Sequence, residues 1–323
     1  MSKHVVRVPG AGRQPWLDVV SYGRRGHQLP DRFTPAQLQH IARVVRRAPE
    51  VVVKVSGGGQ SVGAVAAHAQ YIGRHGKVEL LTDEGERLQG KKAAETLTEG
   101  WDLAMSEGQY GQKTRGRGDR CAPRLAYNIV LSMPKLTDPD KLVRAVSAFA
   151  RETFALNHRY AYALHTDTAH PHVHLIVKAV SEQGKRLHVQ KATLRSWREA
   201  FAEQLRAQGV QAAATPSPLR GRAAGHKNDG AYRLAMRGKL ANTRRTSSPS
   251  SLQADARQRN DSKLARRQVT DDWMNTLDTL HAQGAHVLAA EVSAYVGTLR
   301  RTSVDRDAQL TPEKSRAPEY RGR

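Results

Sequence analysis

From His172 to Lys178 the chain alternates with a period of two, the spacing of a strand that buries one face. Val173, Leu175 and Val177 fall on one side, His172 and His174 on the other. The same period runs through Leu125–Ser132, where Leu125, Tyr127, Ile129 and Leu131 share a face. The β-branched run Val51–Val55 leads into Gly57-Gly58-Gly59, a strand entering a turn. Val78–Thr82 and Arg87-Leu88 bracket Asp83-Glu84-Gly85 as a hairpin, and Tyr160–Asp167 forms a further strand. Helical spacing fills the intervals. It predicts helices over Pro35–Arg47, over Val62–Tyr71 capped by Ser61, and over Ala93–Ser106. Another opens at Asp138-Pro139 on Leu142, Val146, Phe149 and Phe154, and one built on Leu194, Trp197, Phe201 and Leu205 stops at Gly209. Antiparallel strands with helices between them make an α+β fold, with helices packed on one face of an antiparallel sheet.

Texture divides the chain into four parts. Residues 1–50 are an N-terminal extension rich in Gly, Pro and Arg, and 51–210 hold the strands and most of the helices. Residues 211–265, dominated by Ala, Pro, Ser, Arg and Gly, read as a basic flexible linker. Residues 266–323 form a helical segment, with a helical pair over Asp271–Leu280 and Val287–Leu299 and a disordered basic tail from Ser315.

Charge narrows the choice of partner. Lys and Arg number 52 against 30 Asp and Glu, a formal charge of +22, and an excess of this size points to a polyanion. No apolar run is long enough to span a bilayer, so membrane insertion is not expected and nucleic acid is the favoured partner. Cys121 stands alone, which excludes a disulfide framework and a thiolate metal cluster. The first residues, Met-Ser-Lys-His-Val-Val, lack an apolar leader core, so the expected location is cytoplasmic.

The candidate chemistry sits in His165-Thr-Asp167-Thr-Ala-His170-Pro171-His172-Val-His174. With Thr168–Pro171 as the hairpin loop, Asp167 faces His172 and His165 faces His174, and directly paired residues point to one side of a sheet. Three imidazoles and a carboxylate then converge as a metal site, while His170 falls in the turn. A merely solvated polar hairpin would not carry the apolar alternation of Val173, Leu175 and Val177. A divalent cation in so basic a protein is best used on a phosphodiester, where it stabilises charge developing at phosphorus. The nucleophile is water or a tyrosine. Tyr160 and Tyr162 have the wrong parity, and Tyr127 alternates with core residues. Tyr71, at the end of its helix beside Arg74 and His75, is placed to reach a phosphate, and Tyr110, in the basic stretch Gly108–Pro123, is the runner-up.

A helix-borne tyrosine, a strand ending in Leu131-Ser132-Met-Pro, a helix and then H-x-D-x4-H-x-H: this order resembles the relaxase/mobilisation nuclease family of the MobP type, within the HUH endonuclease superfamily. The likeness covers roughly Val51 to Val210, which makes 51–210 a relaxase nuclease domain. It implies a DNA endonuclease that nicks one strand at a transfer origin by attack of Tyr71, leaving a 5′-phosphotyrosyl link, for conjugative mobilisation of a plasmid or integrative element. His165, His172 and His174 would ligate Mn²⁺ or Mg²⁺; nitrogen ligands favour Mn²⁺ of the two. Asp167 would orient a histidine ring or help to activate Tyr71, and Ser132 would contact DNA on the 3′ side of the nick. Arg74, Lys113, Arg115, Arg117, Lys178 and Arg186 are the candidate phosphate contacts. The implied partners are single-stranded DNA at the transfer origin, relaxosome accessory proteins and a conjugative coupling protein, with passage into a recipient cell alongside the DNA. A replication initiator or single-strand transposase of the same superfamily, a hydrolase using water, and a non-catalytic DNA-binding accessory protein are the rival readings. Against the first, Tyr71 precedes the histidines in the chain.

Overall fold

A computed structural model of the chain describes residues 32–111, 123–220, 267 and 269–310. Its contacts divide the chain into two units, Ala48–Ala214 and Met1–Arg47 with Thr215–Arg323.

The Ala48–Ala214 unit is built on six strands: β1 (Val52–Gly59), β2 (Leu80–Thr82), β3 (Arg87–Leu88), β4 (Ala126–Ser132), β5 (Tyr160–His165) and β6 (His172–Lys178). They lie in the order β1-β4-β6-β5-β2-β3, and every pairing is antiparallel. The fold is α+β, as the alternation of elements implies. One face of the sheet carries Val53, Ile129, Leu131, Val173, Leu175, Val177, Tyr160 and Tyr162. These pack under two amphipathic helices, Pro139–Phe154 and Lys191–Ala207. The first of these starts at Asp138, whose side chain accepts from the Asp140 and Lys141 N–H groups, with Pro139 in the first turn.

Helices cover both faces, not one. The opposite face presents Ala126, Ala161, Ala163 and Ile176 to Val62–Ile72, Ala93–Gly100 and Leu103–Gly111. The expectation of a single covered face failed because helix Val62–Ile72 buries only a narrow stripe, Val65, Ala69 and Ile72, which reads weakly in the sequence. The predicted Ala93–Ser106 helix is likewise two helices, broken where Asp102 takes φ 47°. The register of β1 against β4 shifts between Val55 and Gly57. There Gly58 must lack a side chain, since a Cβ would lie 2.4 Å from the Ala126 carbonyl oxygen.

The second unit has its own core. Helix Pro35–Val45, with a Thr34–Gln37 capping box, supplies Ile41 and Val44; residues 269–282 and helix His286–Leu310 supply Trp273, Leu280, Val292 and Tyr295. Arg46 makes a two-pronged ion pair with Glu291 at 2.9 and 3.0 Å. No described helix is long and apolar enough to cross a membrane.

Candidate active site

The β5–β6 hairpin pairs His165 with His172, and His174 with Ala163. The expected register, His165 opposite His174 and Asp167 opposite His172, is therefore corrected. The connection runs over Thr166–Pro171, closed internally where the Thr168 hydroxyl donates to the His170 carbonyl at 2.9 Å. Asp167 leaves the strand for this loop. The slip is by two positions, and since side chains alternate with period two the three histidines keep a common face. Their ring centroids lie 4.7 Å (His165–His174), 5.1 Å (His172–His174) and 5.3 Å (His165–His172) apart. One ligand nitrogen from each falls within 4.8 Å of the others.

Hydrogen bonds settle which nitrogen of two rings carries the proton. His165 Nε2 is 2.6 Å from the Ile72 carbonyl oxygen; a carbonyl only accepts, so Nε2 carries the proton and Nδ1 keeps its lone pair. That Nδ1 receives an N–H from Arg74 at 3.3 Å. His172 Nδ1 donates to the His170 carbonyl at 3.1 Å, which leaves its Nε2. Burial lowers the pKa of His165 below the ordinary imidazole value, and burial with neighbouring imidazoles lowers that of His174 to about 4. Both are neutral near pH 7. One nitrogen from each ring converges on the same point, and the set fits a divalent cation that takes the place of the Arg74 N–H at His165 Nδ1. The role foreseen for Asp167, orienting a ligand ring, falls instead to the Ile72 carbonyl. The Asp167 carboxylate pairs with the Arg74 guanidinium.

Tyr71 occupies the last turn of helix Val62–Ile72, next to the carbonyl that fixes His165. Its ring stands edge-on to His174 with centroids 6.2 Å apart, and 52% of its surface is exposed. The Arg74 guanidinium carbon lies 5.5 Å from the ring centroid. The helix comes so near because alanines line its contact with the sheet. Sequence reasoning missed His68. One helical turn before Tyr71, it stacks on the phenol at 6.0 Å and stands edge-on to His174 at 6.3 Å. Its buried Nε2 has no hydrogen-bond partner among the described residues, and burial lowers its pKa. The i, i+3 spacing of His68 and Tyr71 was the available signal.

Ser132 pairs directly with His172 across β4–β6, and its hydroxyl donates to the Pro171 carbonyl at 3.4 Å. Lys178 shares their face but does not reach the surface: it is 7% exposed and its ammonium meets Glu182 at 3.4 Å. Arg186 donates to the Arg124 carbonyl at 2.7 Å, beside the end of β4 remote from Ser132. Lys113, Arg115 and Arg117 lie outside the described residues.

Residues 82–210 match the family model of the relaxase MobA/VirD2-like nuclease domain. That span is similar to a relaxase nuclease domain. Ser132, His165, Asp167, His172 and His174 fall inside the matched span, while Tyr71 and Arg74 precede it. A solved chain, described as the molecular basis of vancomycin resistance transfer in Staphylococcus aureus, is 13% identical and has a TM-score of 0.36. The likeness covers 52% of this chain and 99% of that one. No curated protein matches.

Proposed function

We propose that the chain is a metal-dependent DNA relaxase that nicks one strand at a transfer origin and stays attached to it, in the mobilisation of a plasmid or integrative element. The observation that carries this reading is Tyr71, an exposed phenol edge-on to a triad of imidazoles inside and beside a relaxase nuclease domain. Its oxygen forms a bond to the scissile phosphorus while the P–O3′ bond breaks. The phenol gives up its proton as the bond forms, the departing 3′ oxygen takes one up to become a hydroxyl, and the 5′ phosphate remains on the tyrosine. Mn²⁺ or Mg²⁺ held by His165, His172 and His174 would supply polarisation of a non-bridging oxygen. Neutral His174 keeps its lone pair available, the Ile72 carbonyl prevents His165 from turning, and the cation would replace the Arg74 N–H at His165 Nδ1. Arg74 presents a cation beside the phenol, steered by Asp167. Ser132, next to His172, faces the strand on the 3′ side of the nick.

The substrate in this reading is single-stranded DNA, gripped through phosphates by Arg74, Lys113, Arg115, Arg117 and Arg186, so affinity falls steeply with salt. Buried, ion-paired Lys178 is not among the contacts. Relaxosome accessory proteins and a coupling protein complete the proposed setting, with nicking in the cytoplasm and passage into the recipient. The test is incubation with Mn²⁺ and a labelled single-stranded oligonucleotide carrying the transfer origin, followed by denaturing electrophoresis. A protein–DNA adduct that disappears in Tyr71→Phe and in His172→Ala is the expected result. Cleavage without an adduct would remove Tyr71 as the nucleophile and favour water.

A further inference from the structure

Just past Tyr71, the residues Arg74, His75 and Gly76 take left-handed φ in succession, at 50°, 55° and 87°. Glycine adopts this freely, whereas Arg and His each bear on the order of 1 kcal/mol of strain. The turn is clamped from below: a Cβ on Gly76 would lie 2.4 Å from the Gly90 carbonyl carbon. Strain of this kind persists only where its surroundings enforce it, and it gathers at functional sites. Its effect here is to line one side of a 580 Å³ cleft with Arg74, His75 and Lys77. Val78 and Leu164 give the cleft an apolar wall, and His165 closes it toward the triad. The cleft exists because β2 is short. It pairs with β5 only through Tyr162 and Ala161, leaving the Leu164–His165 end of β5 uncovered on that side.

We propose that this cleft receives one nucleotide of the substrate strand adjacent to the scissile phosphate, an inference that rests on the relaxase reading above. The base lies against Val78 and Leu164, and a phosphate meets His75 and Lys77. A nucleotide is an apolar π-face joined to an anion, and the cleft offers an apolar wall facing a rim of Lys77, His75 and the Arg74–Asp167 pair. Its volume lies in the range of pockets that enclose a single small ligand. Arg74 is paired with Asp167, so the exposed Lys77 carries the rim's remaining charge toward the strand and the exposed His75 offers it a ring nitrogen. His165 belongs to both the triad and the cleft, which sets the bound nucleotide next to the phosphate under attack.

The test uses full-length Tyr71→Phe protein, which binds without forming the adduct, and single-stranded oligonucleotides from a verified transfer origin, each with one abasic position. Anisotropy titrations should find one position beside the nick where loss of the base weakens binding about tenfold. Val78→Trp, which fills the cleft, should erase the penalty at that position and no other. His75→Ala with Lys77→Ala, both on the surface, should lower affinity for the intact strand and reduce the salt slope by about one phosphate. These surface changes decide the matter if Val78→Trp does not fold. Abasic profiles and salt slopes unchanged in all cleft variants, with wild type still forming its adduct, would overturn the cleft assignment alone. Absence of both adduct and binding on the verified origin would overturn the relaxase reading and the cleft with it.

Discussion

The two faces of the sheet in the Ala48–Ala214 unit are packed on different principles. One is sealed by large rings: Phe154 meets Trp197 at 5.3 Å, Phe149 meets Phe154 at 5.9 Å, and Phe149 meets Phe201 at 6.0 Å. The other meets its helix through Ala69, Ala126, Ala161 and Ala163. Large side chains remove more apolar surface from water and keep helices at a distance. Alanines contribute less but let a backbone approach, and that approach brings the Ile72 carbonyl to 2.6 Å from His165 and Tyr71 to the edge of His174. The first face supplies stability. The second spends some of it, holding imidazoles out of water so that they stay neutral.

The sharpest way to break this division is to alter each face and measure both outputs. Tyr71→Phe should lower adduct formation by a factor of about 10⁴ or more, since the oxygen proposed to attack is gone. Its unfolding free energy should change by less than about 0.5 kcal/mol, because the position is exposed. Phe149→Ala should give the reverse, a loss of about 3–5 kcal/mol in urea denaturation, with adduct formation per folded molecule retained. If Phe149→Ala abolished adduct formation by the folded protein, the faces would not be separable. Ala163→Leu comes next. It should cost about 1–3 kcal/mol by overpacking, and by lifting the helix from the sheet it should also weaken Mn²⁺ binding measured calorimetrically. Unchanged Mn²⁺ affinity would mean that close approach of the helix does not organise the triad.

The same contrast explains what could be seen in advance. Parity alone grouped His165, His172 and His174, because a strand's alternation survives any even slip of register. The register itself was not legible: loop length depends on bonds such as Thr168 to His170, and no period announces them. Asp167 was misplaced for that reason. The aromatic face announced its helices through Leu142, Val146, Phe149 and Phe154, whereas the alanine face gave its helix so narrow a stripe that a second covered face went unforeseen. Lys178 looked like a surface cation because charge normally is one; its burial depends on Glu182, four residues along. His68 escaped because a histidine among alanines carries no pattern until the helix is laid across the sheet.

The smallest expected effect is a tilt of stability with pH, and it belongs to the histidine face. The folded-state pKa of His174 is about 4, and that of His165 is also lowered, chiefly by burial. The unfolded chain binds protons at these rings near the ordinary value of about 6.5. Stability from keeping them neutral is thus fully present above about pH 6.5 and drains as pH falls toward 4, because in that window the unfolded state takes up protons that the folded state refuses. Urea midpoints measured with EDTA from pH 7.5 down to 4.5 should fall. In His174→Asn the fall should be shallower but not absent, since His68 and His158 are also held below their ordinary value by burial and tilt the curve the same way. Parallel curves for the two proteins would mean that His174 is as well hydrated in the folded chain as in the unfolded one, and that keeping this ring neutral costs the fold nothing.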